Sequence, residues 1–344
     1  MSIFRFLFLA IATAMLSVLL SCSQTPTAGN NSTQSPGAVS SPVTTTANNQ
    51  TSGKEKININ TAILSELDKF EAKLGVPALS HRIQASRPYG NPNELVSKKV
   101  ITQEQFDQIK DMVTIEDVVL TGVARDVDYM TKLGLMKGHL LVAKELLEQQ
   151  KPQQAEPHIG HPVEEIYVDV EEQLQERNVK EFKTTLIGLQ DLVKSKPNDA
   201  LVKSNFEAST QSVDTAIAAL PDQQRSEPEF VLQIINELLD ASNSEYGAAI
   251  ANGKVAAPIE YQDSRGFVNY ANTLYEGISS QMAKEYPEAH KAIEASMSEL
   301  TKAWPSAIPP ATAVKTPEQV TQLIRTIEQN SQKVVNNSNT TAKR

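Results

Sequence analysis

The chain has one cysteine in 344 residues, at position 22. No disulfide can close within it and no group of thiolates can hold a metal, so its fold must come from packing alone. Aromatic residues make up 5% of the sequence, with a single tryptophan. Positive charge is also in deficit: 32 Lys and Arg against 41 Asp and Glu give a net charge of −9. Residues 54–118 are nearly balanced, nine against ten, and residues 119–344 hold 22 against 31. No segment is basic enough to suggest nucleic-acid affinity from charge alone. Several catalytic signatures are missing as well. There is no Gly-x-Ser-x-Gly elbow, phosphate loop, dinucleotide fingerprint or His-Glu-x-x-His. Paired carboxylates such as Glu164–Glu165 are common on solvated helix ends and do not by themselves imply acid–base work. The expectation is a protein that is not an enzyme.

One apolar run stands out, Phe6–Leu20, which follows Arg5. It is short for a membrane-spanning helix and suits the core of a signal peptide. It leads into Leu19-Leu20-Ser21-Cys22, which resembles the bacterial lipobox. The resemblance implies removal of residues 1–21 and a diacylglycerol on the Cys22 thiol. An ordinary signal peptide with an incidental cysteine, or an uncleaved anchor, is the other reading. Ser23 follows the cysteine, and in the lipoproteins it resembles a residue other than Asp there is compatible with outer-membrane sorting. The expected location is the bacterial cell envelope, lipid-anchored and facing the periplasm. Residues 23–53 contain no Leu, Ile, Phe or charged residue. Such a stretch cannot bury a core, so residues 22–53 are expected to form a tether with a reach of roughly 30 Å.

Beyond the tether, Leu, Ala, Glu, Gln and Lys dominate, which favours helix, and 40% hydrophobic residues allow a real core. The pattern divides into a set of short helices over 54–118, long helices over 126–335 and a polar tail over 336–344. In the first part, Asn60 is placed to cap a helix with Ile63, Leu67, Phe70 and Leu74 inward, and Gly75 to stop it. Pro77 opens a second helix. Thr102 with Gln105 reads as a capping box ahead of Phe106, Ile109 and Val113. In the second part, Tyr129, Leu133, Met136, Leu140, Ala143 and Leu147 form one stripe at helical spacing. Further helices are expected near 162–176, 179–195, 199–220, 228–251, 260–284, 287–303 and 317–332, with breaks at Pro157, Pro162, Pro197, Pro221, Pro258, Pro287 and Pro305. No strand and no internal repeat is evident. The fold class is all-α, a small helix-hairpin-helix domain followed by an antiparallel helical bundle.

The run Ile57-Asn58-Ile59-Asn60-Thr61-Ala62, then Gly75-Val76-Pro77-Ala78-Leu79 with Arg82-Ile83, resembles helix-hairpin-helix domains. It is similar to those of the competence-type DNA receptors (ComEA-like) and of the photosystem II extrinsic subunit U. In DNA-binding members a Gly-apolar-Gly turn offers backbone N–H groups to a phosphate. Gly75-Val76 is present here, but Pro77 replaces the second glycine and has no N–H. Lys73, Arg82, Lys98 and Lys99 are the cations left to touch a phosphate. The resemblance therefore leaves two uses open: weak DNA binding, with an uptake receptor as the alternative function, or docking of a protein partner.

His139, His158 and His161 are three of five histidines and fall within 23 residues. Imidazoles with carboxylates inside a bundle are ordinary ligands for Fe, Zn or Cu. Glu164 and Glu165 follow His161 closely, and Glu260 and Asp263 could supply the other side. The plainer alternatives are that His161 caps a helix, Glu164 and Glu165 answer the helix dipole, and His139 is a core residue. If a turn lies at 157–161, His139 is over two helical turns away from it. His161-Pro162-Val163-Glu164 is loosely similar to the His-x-x-Glu pair of imelysin-type iron-uptake proteins, and the region resembles uncharacterised periplasmic helical domains. His290 is expected on an exposed helix, with no role.

Overall fold

The computed structural model describes residues 56–116 and 120–341, except the side chains of Ser65 and residues 337–341. The leader, Cys22 and the tether lie outside the described residues. Everything described belongs to one compact unit, Gly53–Arg344. The architecture is all-α, with two hydrophobic cores.

The first core is built by β1 (Ile57–Asn58), α1 (Leu64–Leu74), α2 (Leu79–Ala85), α3 (Glu94–Ser97), α4 (Gln103–Ile109), a 3-10 turn (Lys110–Met112) and β2 (Val113–Thr114). Ile59, Leu67, Phe70, Leu79, Ile83, Leu95 and Ile109 are its fully buried centre. Pro77 lies two residues ahead of α2 and not in its first turn, and two further features differ from expectation. Val113 is not helical: β1 and β2 pair in parallel, Ile57 with Val113 and Asn58 with Thr114, and tie the two ends of the module together. Asn60 does not cap α1. Its side chain instead clamps the backbone of Tyr89, accepting from Tyr89 N at 2.7 Å and donating to Tyr89 O at 2.9 Å. Glu66 takes over at the start of α1 and accepts from Ile63 N at 3.1 Å. Gly75 ends α1 in the left-handed region, φ 63°, and the Thr102–Gln105 capping box forms.

The second core is formed by α5 (Val123–Glu148), α6 (Pro152–His161), α7 (Tyr167–Glu176), α8 (Lys183–Ser195), α9 (Leu201–Ile217), α10 (Asp222–Ser226), α11 (Pro228–Ala249), α12 (Pro258–Glu285), α13 (Pro287–Leu300) and α14 (Pro317–Thr341). Pro152, Pro228, Pro258, Pro287 and Pro317 all stand at a first helical position, where a missing N–H costs nothing. A two-residue antiparallel ribbon, β3 (Ile250–Ala251) with β4 (Lys254–Val255), joins α11 to α12. The α5 stripe is buried as its spacing predicts, with Leu147 at its margin. α11 lies centrally against α5, α12, α14 and α1.

Three elements depart from the sequence pattern. Pro157 lies inside α6 and does not break it. The chain turns earlier, at Gln150, which adopts φ 57°. Pro162 does not start a helix either. It has no N–H to give the His158 carbonyl, and the helix widens into one π turn (Pro162–Ile166), with Tyr167 N–H reaching back five residues to Pro162 O. Finally, α14 runs to Thr341, past Asn336 where the polar tail was expected. Propensity is a weak prior, and a helix seeded by packed turns at Ser331 and Val334 extends cheaply.

α1 docks the small module on α11. Lys69 pairs with Asp240 at 2.6 Å. Gly247 leaves room for Ala72, whose methyl would lie 3.2 Å from a Cβ at that position. Among the described residues no helix is long and apolar enough to cross a membrane.

Candidate metal centre

The turn at Gln150 brings the histidines together. His139 and His161 each lie eleven residues from it (150 − 139 and 161 − 150), so antiparallel α5 and α6 set them level. His158 and His161, three apart on α6, share one face. A second close approach supplies the carboxylate. Gly138 on α5 meets Gly266 on α12 so tightly that a Cβ on Gly266 would lie 2.3 Å from Gly138 O. His139 is next to the first glycine and Asp263 is one turn before the second. Any side chain at this crossing would push their helices apart.

Three imidazoles surround one carboxylate. Nδ1 of His139 and Nδ1 of His158 each lie 2.7 Å from Asp263 Oδ1, and Nδ1 of His161 lies 3.2 Å from Oδ2. One donor atom from each of the four residues falls within 4.8 Å of the others. Around a single ion at about 2.1 Å, ligand atoms are at most about 4.2 Å apart, so small side-chain rotations would close the set. His158 is fully buried, while His161 keeps 22% of its side-chain exposure, so solvent reaches the group from the His161 side. The His139 ring meets the Phe267 ring edge-on at 5.0 Å.

Burial opposes the charge on Asp263, but the three imidazoles outweigh it and hold its carboxyl well below the usual range. Burial pushes the His139 ring down despite Asp263. For His161 burial also disfavours the cation, yet Asp263, then Glu165 and Glu164, prevail and push it up to about 9. Burying such a group costs stability unless protons or a cation balance it. Perturbed titrations of this kind cluster at functional sites.

Of the seven residues singled out by sequence, His139, His158, His161 and Asp263 converge. Glu165 and Glu260 stand outside the close group but act on it electrostatically. Burial raises both, and Glu165 reaches about 7. Glu164 is exposed and accepts from Gln190 Nε2 at 3.3 Å. Two further acids adjoin the group where the small module docks. Asp68 of α1 is pushed up to about 7 by burial, with Glu71 adding to it. Glu245 of α11 is raised well above its ordinary range by burial, then by Asp68 and Asp263. Gln262, which contacts His158, was missed. Its only sequence signal is its place beside Asp263. His290 is half-buried rather than exposed, with its Nδ1 2.9 Å from the Tyr275 hydroxyl.

The hairpin is differently occupied. Glu71 accepts from Ala78 N at 2.8 Å, Leu79 N at 2.9 Å and Ser80 N at 3.5 Å. The chain's own carboxylate therefore takes the N–H groups that a phosphate would need. Lys98 donates to the carbonyls of Ser86 and Pro88 and lies over the Tyr89 ring. Lys73, Arg82 and Lys99 are exposed, as is Gly75 of the turn, while Val76 is half-buried.

Residues 221–338 match the iron permease-associated 4-helix bundle domain, and residues 52–114 match the helix-hairpin-helix motif. The first match includes Gln262 and Asp263, while all three imidazoles come from the helices before it. No curated protein and no solved structure matches the chain.

Proposed function

We propose that this chain is a non-enzymatic binding protein of the bacterial cell envelope that holds a first-row transition-metal cation at His139, His158, His161 and Asp263. The convergence of three Nδ1 atoms on one buried carboxylate carries this reading. Three imidazoles and a carboxylate suit Fe, Zn or Cu(II), and the lack of thiolate makes Cu(I) a poor fit. The iron permease-associated match favours iron as cargo. Glu164, Glu165 and Glu260 bear on His161, the exposed member, and would attract a cation to that side. The leader and Cys22 support a lipid anchor facing the periplasm, and Ser23 after the cysteine is compatible with the outer membrane.

We read the helix-hairpin-helix module as a docking element, not a nucleic-acid grip. The support is the Glu71 carboxylate at the hairpin N–H groups and the seating of α1 on α11. The test of the metal reading is titration of the full chain in detergent with Fe(II), Zn(II) and Cu(II), beside a His158→Ala/His161→Ala double variant. A metal that raises the wild-type melting midpoint and not that of the variant is the expected result. No shift with any metal, or equal shifts in both proteins, would sink it.

A further inference from the structure

The inference deepens the metal reading and rests on it. His158 has both ring nitrogens engaged: Nδ1 with Asp263 Oδ1 at 2.7 Å and Nε2 with Gln262 Oε1 at 2.9 Å. Gln262 decides which nitrogen carries the hydrogen. Its amide nitrogen lies 3.1 Å from the Ala307 carbonyl and 3.0 Å from Gln154 Oε1. A backbone carbonyl only accepts, so the NH2 end must face Ala307 and the oxygen must face His158. That oxygen in turn only accepts, so the hydrogen sits on His158 Nε2. In the neutral ring Nδ1 is then a bare lone pair, 2.7 Å from a carboxylate oxygen that is also an acceptor. His139 Nδ1 crowds the same oxygen at 2.7 Å. The lone pairs of His158 Nδ1 and Asp263 Oδ1 repel at that distance, and a cation between them turns the repulsion into ligation.

We infer that Gln262 is a positioning residue that fixes His158 in its Nε2–H form and so presents Nδ1 to the metal beside Asp263. The amide is well placed for this task. It is adjacent in sequence to the ligand Asp263, and the Ala307 segment that orients it is itself fastened. Ala307 N donates to Glu145 at 3.0 Å and Trp304 Nε1 donates to Ser264 Oγ at 2.7 Å. Without the Gln262 oxygen, the ring is free to carry its hydrogen on Nδ1 and donate it to Asp263, which blocks the ligand atom. Partners of this kind typically change metal affinity by about 10–100-fold.

The test compares wild type, Gln262→Met and Gln262→Glu as full chains in detergent. Histidine 15N NMR of the metal-free proteins at alkaline pH, with His158 assigned through His158→Asn, reads the tautomer. Competition against a chromophoric chelator reads Zn(II) affinity. The wild type is expected to show Nε2–H on His158. Gln262→Glu keeps an acceptor there and should keep the tautomer. Gln262→Met should lose it and bind Zn(II) about 10–100-fold more weakly. A proton on Nδ1 in the wild type, or Zn(II) affinity within twofold in a folded Gln262→Met, overturns the inference. If the wild type binds no metal, the metal reading fails alone, and the tautomer in wild type and variants still decides the role of Gln262. Should Gln262→Met not fold, the wild type and Gln262→Glu decide it.

Discussion

The two hydrophobic cores use polar groups in opposite ways. In the small module Glu71, Asn60 and Arg87 each find partners within the module. Glu71 closes the hairpin N–H groups, Asn60 clamps Tyr89, and Arg87 donates to the carbonyls of Ile59 and Ala62. In the bundle, three imidazole nitrogens crowd one buried carboxylate. A satisfied network rigidifies a fold, whereas a congested one costs stability until something joins it. The contrast is what the proposed reading rests on, structure for the module and ligand chemistry for the bundle, although the hairpin is the more familiar binding motif.

The harshest way to break the comparison is to remove the carboxylate. Asp263→Ala should lower Zn(II) or Fe(II) affinity by more than about 100-fold, because it removes a ligand and the anion that gathers the rings. Glu71→Ala in the module should leave metal affinity within about twofold. Chelator competition on both variants checks this, and equal losses would erase the distinction.

The pH dependence sharpens it. His161 is pushed up to about 9, so in the metal-free protein it carries a proton at neutral pH that a metal must displace. Affinity should therefore rise about tenfold per pH unit up to about 9 if one proton is released. The sign for stability is the reverse. A raised imidazole stabilises the fold fully below about 6.5 and loses that contribution as pH rises through about 9. Asp68 and Glu165, pushed up to about 7, favour the fold when protonated and cease to do so as pH rises through that value. The metal-free melting midpoint should fall from about pH 5 to pH 9, and His161→Ala should flatten the upper half of that decline. A midpoint that rises over this range contradicts the assignment.

A smaller effect is expected at the helix crossing. Gly266→Ala drives a methyl toward Gly138 O, and overpacking of this kind costs about 1–3 kcal/mol. It should also loosen metal binding by separating His139 from Asp263. Thermal melts with and without Zn(II) read both effects, and unchanged affinity would mean that the crossing does not set the ligand spacing. The smallest effect belongs to the module. Glu71→Ala should cost about 1 kcal/mol, as loss of a helix cap does. Duplex DNA binding by the wild type should be no tighter than roughly 10⁻⁴–10⁻⁶ M at physiological salt. A nanomolar Kd by fluorescence anisotropy would restore the uptake alternative.

The sequence alone determined the class of fold and most of its helices. Apolar spacing in α5, the Gly75 stop and the Thr102–Gln105 box are local signals, and local hydrogen bonding realises them with little help. It also singled out the histidines and the Asp263 that come together, because five histidines are conspicuous in a Leu- and Ala-rich chain. What it could not give was their meeting. Pro157 and Pro162 suggested a turn where α6 runs straight into a π turn, and that displaced the hairpin bend and left His139 seemingly out of reach. Only the tertiary structure placed the bend at Gln150, pressed Gly138 onto Gly266 and set Gln262 behind His158. These contacts join residues about 100 or more positions apart, where no local periodicity carries information and packing between helices decides.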